Sequence, residues 1–362
     1  MSQRLISLDF FRGFTIAAMI VVNDPGSWSY VFDPLRHAEW HGATPTDLVF
    51  PFFLFIVGVS IVLSLSKTTT TSSKVYFKII KRTFILFSIG VFLALFPNFD
   101  FNNVRIAGVL QRIALVYFFC SFIYLKSNKS HQIWIGIFCL LIYWIFMKHV
   151  PFGDAVVGVL EPGNNFAAWI DQFITPGRMY QKTWDPEGFF STIPAIATGI
   201  SGMYCGHLIL NKSQSLKDKI IVMYLVGSIC LSIGMVWDFS FPINKHIWTS
   251  SYVLFSSGLA MLFLASCMWI IDHKKTTSYT RFGIVFGSNA IFAYVLHSML
   301  GRLFRIPFIN GNGIQKTWMD FGLTTNLDPQ IFSLLWALFY TFIIYLIAVS
   351  YTHLTLPTKR IV

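Results

Sequence analysis

Long apolar runs alternate with short polar segments along almost the whole chain. Runs of about 17 to 25 mostly apolar residues are long enough to cross a bilayer as helices, and the pattern predicts about ten of them. The predicted spans are 5–24, 48–66, 80–97, 106–125, 132–149, 188–210, 219–237, 249–271, 282–300 and 330–351. The expected fold is therefore an all-α, polytopic integral membrane bundle, with one domain over residues 1–351 and a tail of uncertain origin at 352–362.

The composition agrees with a membrane protein. Hydrophobic residues make up 55% of the chain and charged residues only 12%, whereas soluble domains carry about 25% charged residues. The net charge of +11 does not indicate nucleic-acid binding, because Lys and Arg occur in short clusters between the apolar runs and form no continuous basic face.

The basic residues also predict an orientation. An even number of spans puts both termini on one side, and most Lys and Arg lie in the short loops on that same side. Basic short loops stay in the cytoplasm, so both termini are expected there, in a cell inner (plasma) membrane. The longer polar loops then face outward. They are 24–47, 150–187, 238–248 and 301–329.

Ionisable residues inside the predicted spans are candidates for function, because they are costly to insert. Asp9 and Arg12 are three residues apart and can form an ion pair on one helix face; alternatively Arg12 binds an anionic ligand that enters from the cytoplasm. Arg105 and Arg112 are seven residues apart, so they are expected to share a face of the fourth predicted helix, close to Gln111. Two arginines and a glutamine there indicate an anion-binding wall.

Polar residues from several predicted helices fall at one depth near the outer surface, which predicts a shared pocket. A histidine among them suits proton abstraction, because its ordinary pKa lies near the working pH; a hydrogen-bonded structural histidine is the alternative. The group comprises Asn23, His37, Glu39, His41, Asp47, Asp185, Glu187, Asn244, Lys245 and His297, with Asn289 two turns deeper.

A metal site is the rival explanation for His37 and His41. They are four residues apart, the spacing of two zinc ligands on one helix face. Gly42 and Pro45 follow directly and argue against a regular helix there. No metal is therefore expected.

The chain resembles a known family, the heparan-α-glucosaminide N-acetyltransferases and their bacterial relatives. The resemblance lies in six blocks that occur in family order and span residues 4 to about 300. The blocks are LISLDFFRGFTIAAMIVVN, RHAEWHGATPTDLVFPFFLFIVGVS, VRIAGVLQRIALVYF, WDPEGFFSTIPAI, FPINKHIWTSSYV and GSNAIFAYVLH.

The resemblance implies a multi-pass enzyme that takes acetyl from cytoplasmic acetyl-CoA and delivers it to a glucosamine amine across the membrane. The family's active-site histidine falls in the segment RHAEW, which gives that role to His37. The asparagine at the outer end of the preceding helix corresponds to Asn23. The family's lysosomal members usually carry Asn where this chain has His41, so the acceptor stays open.

These expectations assign roles to the candidate residues. His37 is expected to act as general base or as acetyl carrier in a ping-pong route, and Asn23 to donate to the oxyanion. Expected to bind acetyl-CoA are Arg12, Arg105, Gln111, Arg112 and Asn289. Expected to bind the amino-sugar or glycan acceptor, or to orient His37, are Trp40, His41, Asp47, Asp185, Glu187, Asn244, Lys245 and His297.

Two other functions remain open from the sequence. An O-acyltransferase acting on envelope glycans would use the same donor and the same histidine. A solute transporter would also carry Arg, Asp and His inside its spans. The expected partners are acetyl-CoA, the acceptor and the lipid bilayer; a homodimer is left open.

Overall fold

A computed structural model of the chain describes residues 5–67, 72–154, 156–307 and 311–359, with side chains described as far as residue 352. Nearly all regular structure in these ranges is helical, which confirms the all-α prediction. The helices are α1 Ile6–Asn23, α2 Val49–Leu65, α3 Ser73–Leu95, α4 Val109–Lys126, α5 Lys129–His149, α6 Phe166–Ile174, α7 Thr192–Leu210, α8 Leu216–Asp238, α9 Ser250–Cys267, α10 Thr280–Ser288, α11 Ala290–Leu303, α12 Ile314–Leu323 and α13 Pro329–Lys359. The antiparallel strands β1 Leu160–Glu161 and β2 Asn164–Asn165 form a small hairpin.

Eight helices in the described ranges are long and apolar enough to cross a membrane. They are α1, α2 with the preceding turn, α4, α5, α7, α8, α9 with the π-helical turn Met268–His273, and α13. α10 and α11 add a ninth span if the bent pair is counted as one. These findings agree with a polytopic membrane protein.

The remaining predicted span, 80–97, corresponds to α3. This helix has 23 residues, but its first half carries Lys74, Lys78, Lys81 and Arg82, so it is less apolar than the other long helices. The helix exists as predicted, and its charges are concentrated at one end.

The predicted helix at 282–300 is broken. α10 and α11 meet at Asn289 with a bend of 83°. The Asn289 side chain donates to the carbonyl oxygen of Val285 at 2.9 Å, so a side-chain bond satisfies a backbone acceptor where the helix is interrupted.

Three further differences concern regions that were expected to lack helices. The loop 150–187 contains α6 and the hairpin, and the loop 301–329 contains α12. α13 continues to Lys359, so it covers most of the predicted tail 352–362, whose last three residues lie outside the described ranges.

The chain divides into two compact units. The first unit comprises Met1–His37, Thr44–Val49 and Ser266–Val362, and the second comprises Ala38–Ala43 and Phe50–Ala265. Both are built from segments distant in sequence, and the single domain over 1–351 stays a prediction.

Each unit contains a helix pair in close contact through glycines. In the first unit, a Cβ built on Gly13 of α1 would lie 1.8 Å from the carbonyl oxygen of Gly283 in α10. In the second unit, a Cβ on Gly202 of α7 would lie 1.9 Å from the carbonyl oxygen of Phe55 in α2. Small residues let the backbones approach closely, as is common between membrane helices.

Candidate active site

A histidine–carboxylate pair lies in the first unit, just before α2. His37 Nδ1 is 2.6 Å from Asp47 Oδ1. The Asp47 side chain is fully buried, whereas the imidazole is 34% exposed. A carboxylate at Nδ1 fixes the tautomer with the proton on Nδ1 and the lone pair on Nε2, the arrangement of a general base.

A 3₁₀ turn at Pro45–Leu48 brings Asp47 back to His37. Proline suits the start of such a turn, and Thr44 and Asp47 form a capping box in which the Thr44 backbone N–H donates to Asp47 Oδ2 at 2.9 Å. The Thr44 hydroxyl also donates to the carbonyl oxygen of Arg36 at 2.6 Å. These bonds tie the turn to the residue next to His37, and they hold both oxygens of Asp47.

Asn23 is the last residue of α1 and is partly buried. Its side chain makes no hydrogen bond to another described residue, in contrast to the next residue. Asp24 is buried, and its Oδ2 lies 2.7 Å from Nδ1 of His297, while its Oδ1 accepts from Arg305 Nη2 at 2.9 Å. Gly301 of α11 makes room for this carboxylate, since a Cβ there would lie 2.7 Å from Asp24 Oδ1.

His297, predicted to bind the acceptor, is thus a buried partner of Asp24. Its backbone carbonyl oxygen also accepts from the Tyr340 hydroxyl at 2.5 Å. Asp24 was not among the candidates from the sequence. The available signal was its place directly after Asn23, at the predicted depth of His297.

Trp40, in the second unit, belongs to an aromatic cluster. Its indole Nε1 donates to the carbonyl oxygen of Leu160 at 2.7 Å. Its ring stacks on His246 with centroids 5.3 Å apart and meets Trp184 edge-on at 5.1 Å. Sequence reasoning missed His246 and Trp184, which had no distinguishing spacing.

His41 and Asn244, both predicted to bind the acceptor, lie together in the second unit. His41 is exposed, and its Nδ1 is 3.3 Å from Nδ2 of the buried Asn244. The Gly42 backbone N–H donates to Ile243 at 2.7 Å, with Gly42 at φ +94°. Lys245 follows Asn244 in the chain and is partly buried. Among the described residues, no group of three or more His, Cys, Asp or Glu is arranged to hold a metal ion.

Asp185 and Glu187 are paired with Arg105. Arg105 Nε donates to Asp185 Oδ2 at 2.7 Å, Nη2 donates to Asp185 Oδ1 at 2.6 Å, and Nη2 also contacts Glu187. Burial lowers the pKa of the Arg105 guanidinium, but the two carboxylates outweigh it and hold that pKa above its ordinary value. The predicted helix face shared by Arg105 and Arg112 is wrong, because α4 begins at Val109, after an extended Gly108.

Arg112 is buried within α4 and addresses the same loop as Arg105. Its Nη2 donates to the carbonyl oxygen of Gly188 at 2.8 Å and contacts the Ser191 hydroxyl, and its guanidinium lies over the ring of Trp248 at 5.0 Å. Nε and Nη1 have no hydrogen-bond partner among the described residues. Such unpaired buried donors are uncommon.

Gln111 lies between α3 and α4: a Cβ on Gly90 would come 2.4 Å from its Oε1. In the described structure Arg105, Gln111 and Arg112 therefore contact protein groups, and their binding of acetyl-CoA stays a prediction.

Asp171 of α6 was not expected from the sequence. It is buried, and its Oδ1 accepts from the Phe190 backbone N–H at 2.9 Å. Burial raises the pKa of Asp171 to about 6, against the opposing effects of the Phe190 N–H and Arg112. Nothing in the sequence around Asp171 distinguishes it from an exposed loop carboxylate.

Arg12 and Asn289, predicted to bind acetyl-CoA, both lie in the first unit. Arg12 Nη1 is 3.2 Å from Asp9 Oδ1 and 3.2 Å from the carbonyl oxygen of Gly287, so the predicted ion pair forms. Asn289 Nδ2 also lies 2.5 Å from the Thr352 hydroxyl. Their role towards acetyl-CoA stays a prediction.

The apolar helices, with polar clusters at their ends, define a polytopic helical membrane protein that carries a general-base arrangement. A family model described as "Heparan-alpha-glucosaminide N-acetyltransferase, catalytic" matches residues 4–237, and the chain belongs to this family. His37, Asp47, Asn23, Arg105 and Arg112 lie inside the matched range.

Two curated relatives extend the similarity beyond that range. The chain is 29% identical to "Heparan-alpha-glucosaminide N-acetyltransferase" of Homo sapiens over 84% of its length and 54% of that protein. It is 28% identical to the protein of the same name from Mus musculus over 85% of its length and 55% of that protein. The chain therefore spans about half the length of the curated relatives it matches.

Proposed function

We propose that this protein is an N-acetyltransferase that moves acetyl from acetyl-CoA to the amine of a glucosamine-type sugar. Family membership supports the acetyl transfer. The observation that carries the proposal is the 2.6 Å contact between His37 Nδ1 and the buried Asp47, because acetyl transfer to an amine requires a base that removes a proton from the nucleophile.

In the proposed reaction, His37 Nε2 takes a proton from the sugar amine as the nitrogen attacks the thioester carbonyl. Asp47 stabilises the imidazolium that forms. The Asn23 side chain donates to the oxyanion, a contribution of about 2.7–4 kcal/mol for a single donor in other enzymes. The C–S bond then breaks, and the CoA sulfur receives the proton from His37.

A two-step route uses the same residue. His37 Nε2 would attack the thioester, release CoA and carry the acetyl group until the amine takes it. The two routes differ in a single measurement: a burst of CoA release without acceptor indicates the covalent route, and its absence indicates direct transfer in a ternary complex.

Binding roles in this proposal follow the sequence predictions. Arg12, Arg105, Gln111, Arg112 and Asn289 are assigned to acetyl-CoA, and the unpaired Nε and Nη1 of Arg112 support a substrate contact for that residue. Trp40, His41, Asn244 and Lys245 are assigned to the acceptor. Since Asp185 and Glu187 pair with Arg105, and His297 pairs with Asp24, any effect of these three on the acceptor acts through their partners.

The proposed orientation has both termini in the cytoplasm of an inner (plasma) membrane, acetyl-CoA on the cytoplasmic side and the acceptor on the outer side. The charge distribution supports it, because basic residues are concentrated in the short loops on the terminal side.

The proposal is tested with membranes that contain the protein, acetyl-labelled acetyl-CoA and glucosamine. Formation of the amide, N-acetylglucosamine, is the expected result. An alkali-labile ester instead of an amide would identify an O-acyltransferase, and uptake of solute without any acetylated product would identify a transporter; either result rules out the proposal.

A further inference from the structure

An open groove of about 630 Å³ lies in the first unit, beside the end of α1. One wall is the loop after α1, with Trp28 and Tyr30, and the other walls are the segment around Arg305 and the polar face of α12 with Lys316 and Asp320. Its size falls within the range of about 300–1,000 Å³ that is typical of ligand sites. The groove is therefore large enough for a ligand of more than one ring.

Trp28 gives the groove an aromatic surface. Its side chain is 54% exposed, and Tyr30 lines the same wall. An exposed tryptophan in a membrane protein can also be an anchor at the lipid interface. Here, however, the ring lines a cavity together with hydrogen-bonding residues, a combination that suits the apolar face and the hydroxyl groups of a sugar ring.

The charges of the lining indicate a ligand with little net charge. Arg305 is about half exposed, but its Nη2 is bound to the buried Asp24 and its Nε donates to Gln315 Oε1 at 3.1 Å. The remaining charged residues of the lining are Lys316 and Asp320, one of each sign. CoA phosphates require a strongly positive site, whereas sugar hydroxyls require fixed donors and acceptors of the kind found here.

The groove is connected to the proposed transfer residues through Arg305. The carboxylate that Arg305 binds belongs to Asp24, the residue directly after Asn23. Gln315, on the α12 wall, donates to the carbonyl oxygen of Pro25 at 2.5 Å. The end of α1 and the groove are thus held together by direct hydrogen bonds.

We propose that this groove binds the saccharide units that follow the amine-bearing sugar, with Trp28 as their stacking surface. This inference rests on the proposed function and adds to it: the acceptor is the end of an oligosaccharide, and Trp28 determines the preference for it over a free monosaccharide.

The test compares glucosamine with a glucosamine trimer as acceptor. Trp28→Ala is expected to raise the KM for the trimer about five- to tenfold, the loss of one aromatic contact, and to leave the KM values for glucosamine and acetyl-CoA within about twofold. Trp28→Phe, which keeps a ring, is expected to restore most of the affinity. Trp134→Ala is the matched control, since Trp134 of α5 is also exposed, at 64%.

Trimer binding without acetyl-CoA, measured by titration calorimetry, separates this inference from the proposed function. Trimer binding that is lost in Trp28→Ala, in a protein that transfers no acetyl, would overturn the function and support the groove. Acetyl transfer in which Trp28→Ala alters neither KM nor trimer binding would overturn the groove and support the function. Equal KM changes for monomer and trimer would also overturn it.

Discussion

Asp47 determines how His37 presents its imidazole. The carboxylate is fully buried, holds His37 through Oδ1 and is itself held by the Thr44 backbone N–H through Oδ2. A carboxylate fixed on both oxygens keeps the ring in one tautomer and one orientation. Asp47 is thus the positioning residue for the proposed base.

Asp47→Asn is expected to lower kcat by at least about 100-fold while the KM values change little, because the wrong tautomer is held when the carboxylate is lost. Asp33→Asn, at an exposed aspartate of the same loop, is the control and should behave as the wild type. Steady-state kinetics at a fixed pH measure both. A kcat of Asp47→Asn equal to the wild-type value would mean that Asp47 does not position the base.

Asp171 predicts a dependence of stability on pH. Its pKa is raised by burial from the ordinary 3.8 to about 6, so the folded protein binds this proton more tightly than the unfolded chain. The resulting stabilisation is fully present below about pH 4 and is lost as the pH rises to about 6, with a size of about 3 kcal/mol.

Asp171→Asn is therefore expected to remove part of the fall in Tm between pH 4.5 and 7, measured in detergent. Asp154→Asn, at an exposed carboxylate of the same loop, should leave that fall unchanged. Parallel pH profiles for Asp171→Asn and the wild type would contradict the burial argument.

The sequence predicts only part of the site at this scale. His37 and His41 are equally placed in the pattern, and the family resemblance alone distinguished them. Asp47 was one of several candidate carboxylates; its pairing with His37 depends on the 3₁₀ turn at Pro45–Leu48, which apolar periodicity does not show. Asp24 and Asp171 gave no signal because burial comes from distant segments.

Close helix contacts carry the packing at the scale of elements. Gly202 of α7 meets the backbone of α2, so any side chain at 202 forces the helices apart. Gly136 of α5, in contrast, faces only the flexible side chain of Ile200, whose Cγ2 would be 3.2 Å from an added Cβ. The two glycines thus differ in what an added methyl group meets.

Gly202→Ala is expected to destabilise the protein by about 1–3 kcal/mol through overpacking. Gly136→Ala should be close to neutral, because alanine favours the helix and the neighbouring side chain can move. Thermal unfolding in detergent compares the two. The packing argument is wrong if Gly202→Ala is as stable as Gly136→Ala.

Apolar runs predict the long helices well, because a span must exclude polar residues over its whole length. Short helices are different: α6 and α12 have nine and ten residues and lie inside segments that read as polar loops. The break at Asn289 and the late start of α4 depend on local hydrogen bonds and on the extended Gly108, which hydropathy does not contain.

Whether both termini share one side depends on α3. If α3 crosses the membrane and α10 with α11 crosses once, the total is even, as the charge distribution requires. The basic residues of α3 lie at its start, the end expected on the cytoplasmic side.

Two exposed positions flank α3, Lys67 and Asp100. In intact cells, Asp100→Cys is expected to react with a membrane-impermeant maleimide, and Lys67→Cys only after permeabilisation. The parent protein is the control, since its cysteines are buried or partly buried. Labelling of both positions from the same side would show that α3 does not cross and would overturn the shared side of the termini.

Acetyl transfer by a His37 variant tests the central claim most directly. Membranes with equal amounts of folded wild type, His37→Ala and His149→Ala, an exposed histidine at the end of α5, are incubated with labelled acetyl-CoA and glucosamine. The wild type and His149→Ala are predicted to form N-acetylglucosamine at similar rates, and His37→Ala to lose at least about 100-fold in rate. Undiminished N-acetylglucosamine formation by His37→Ala would contradict the account.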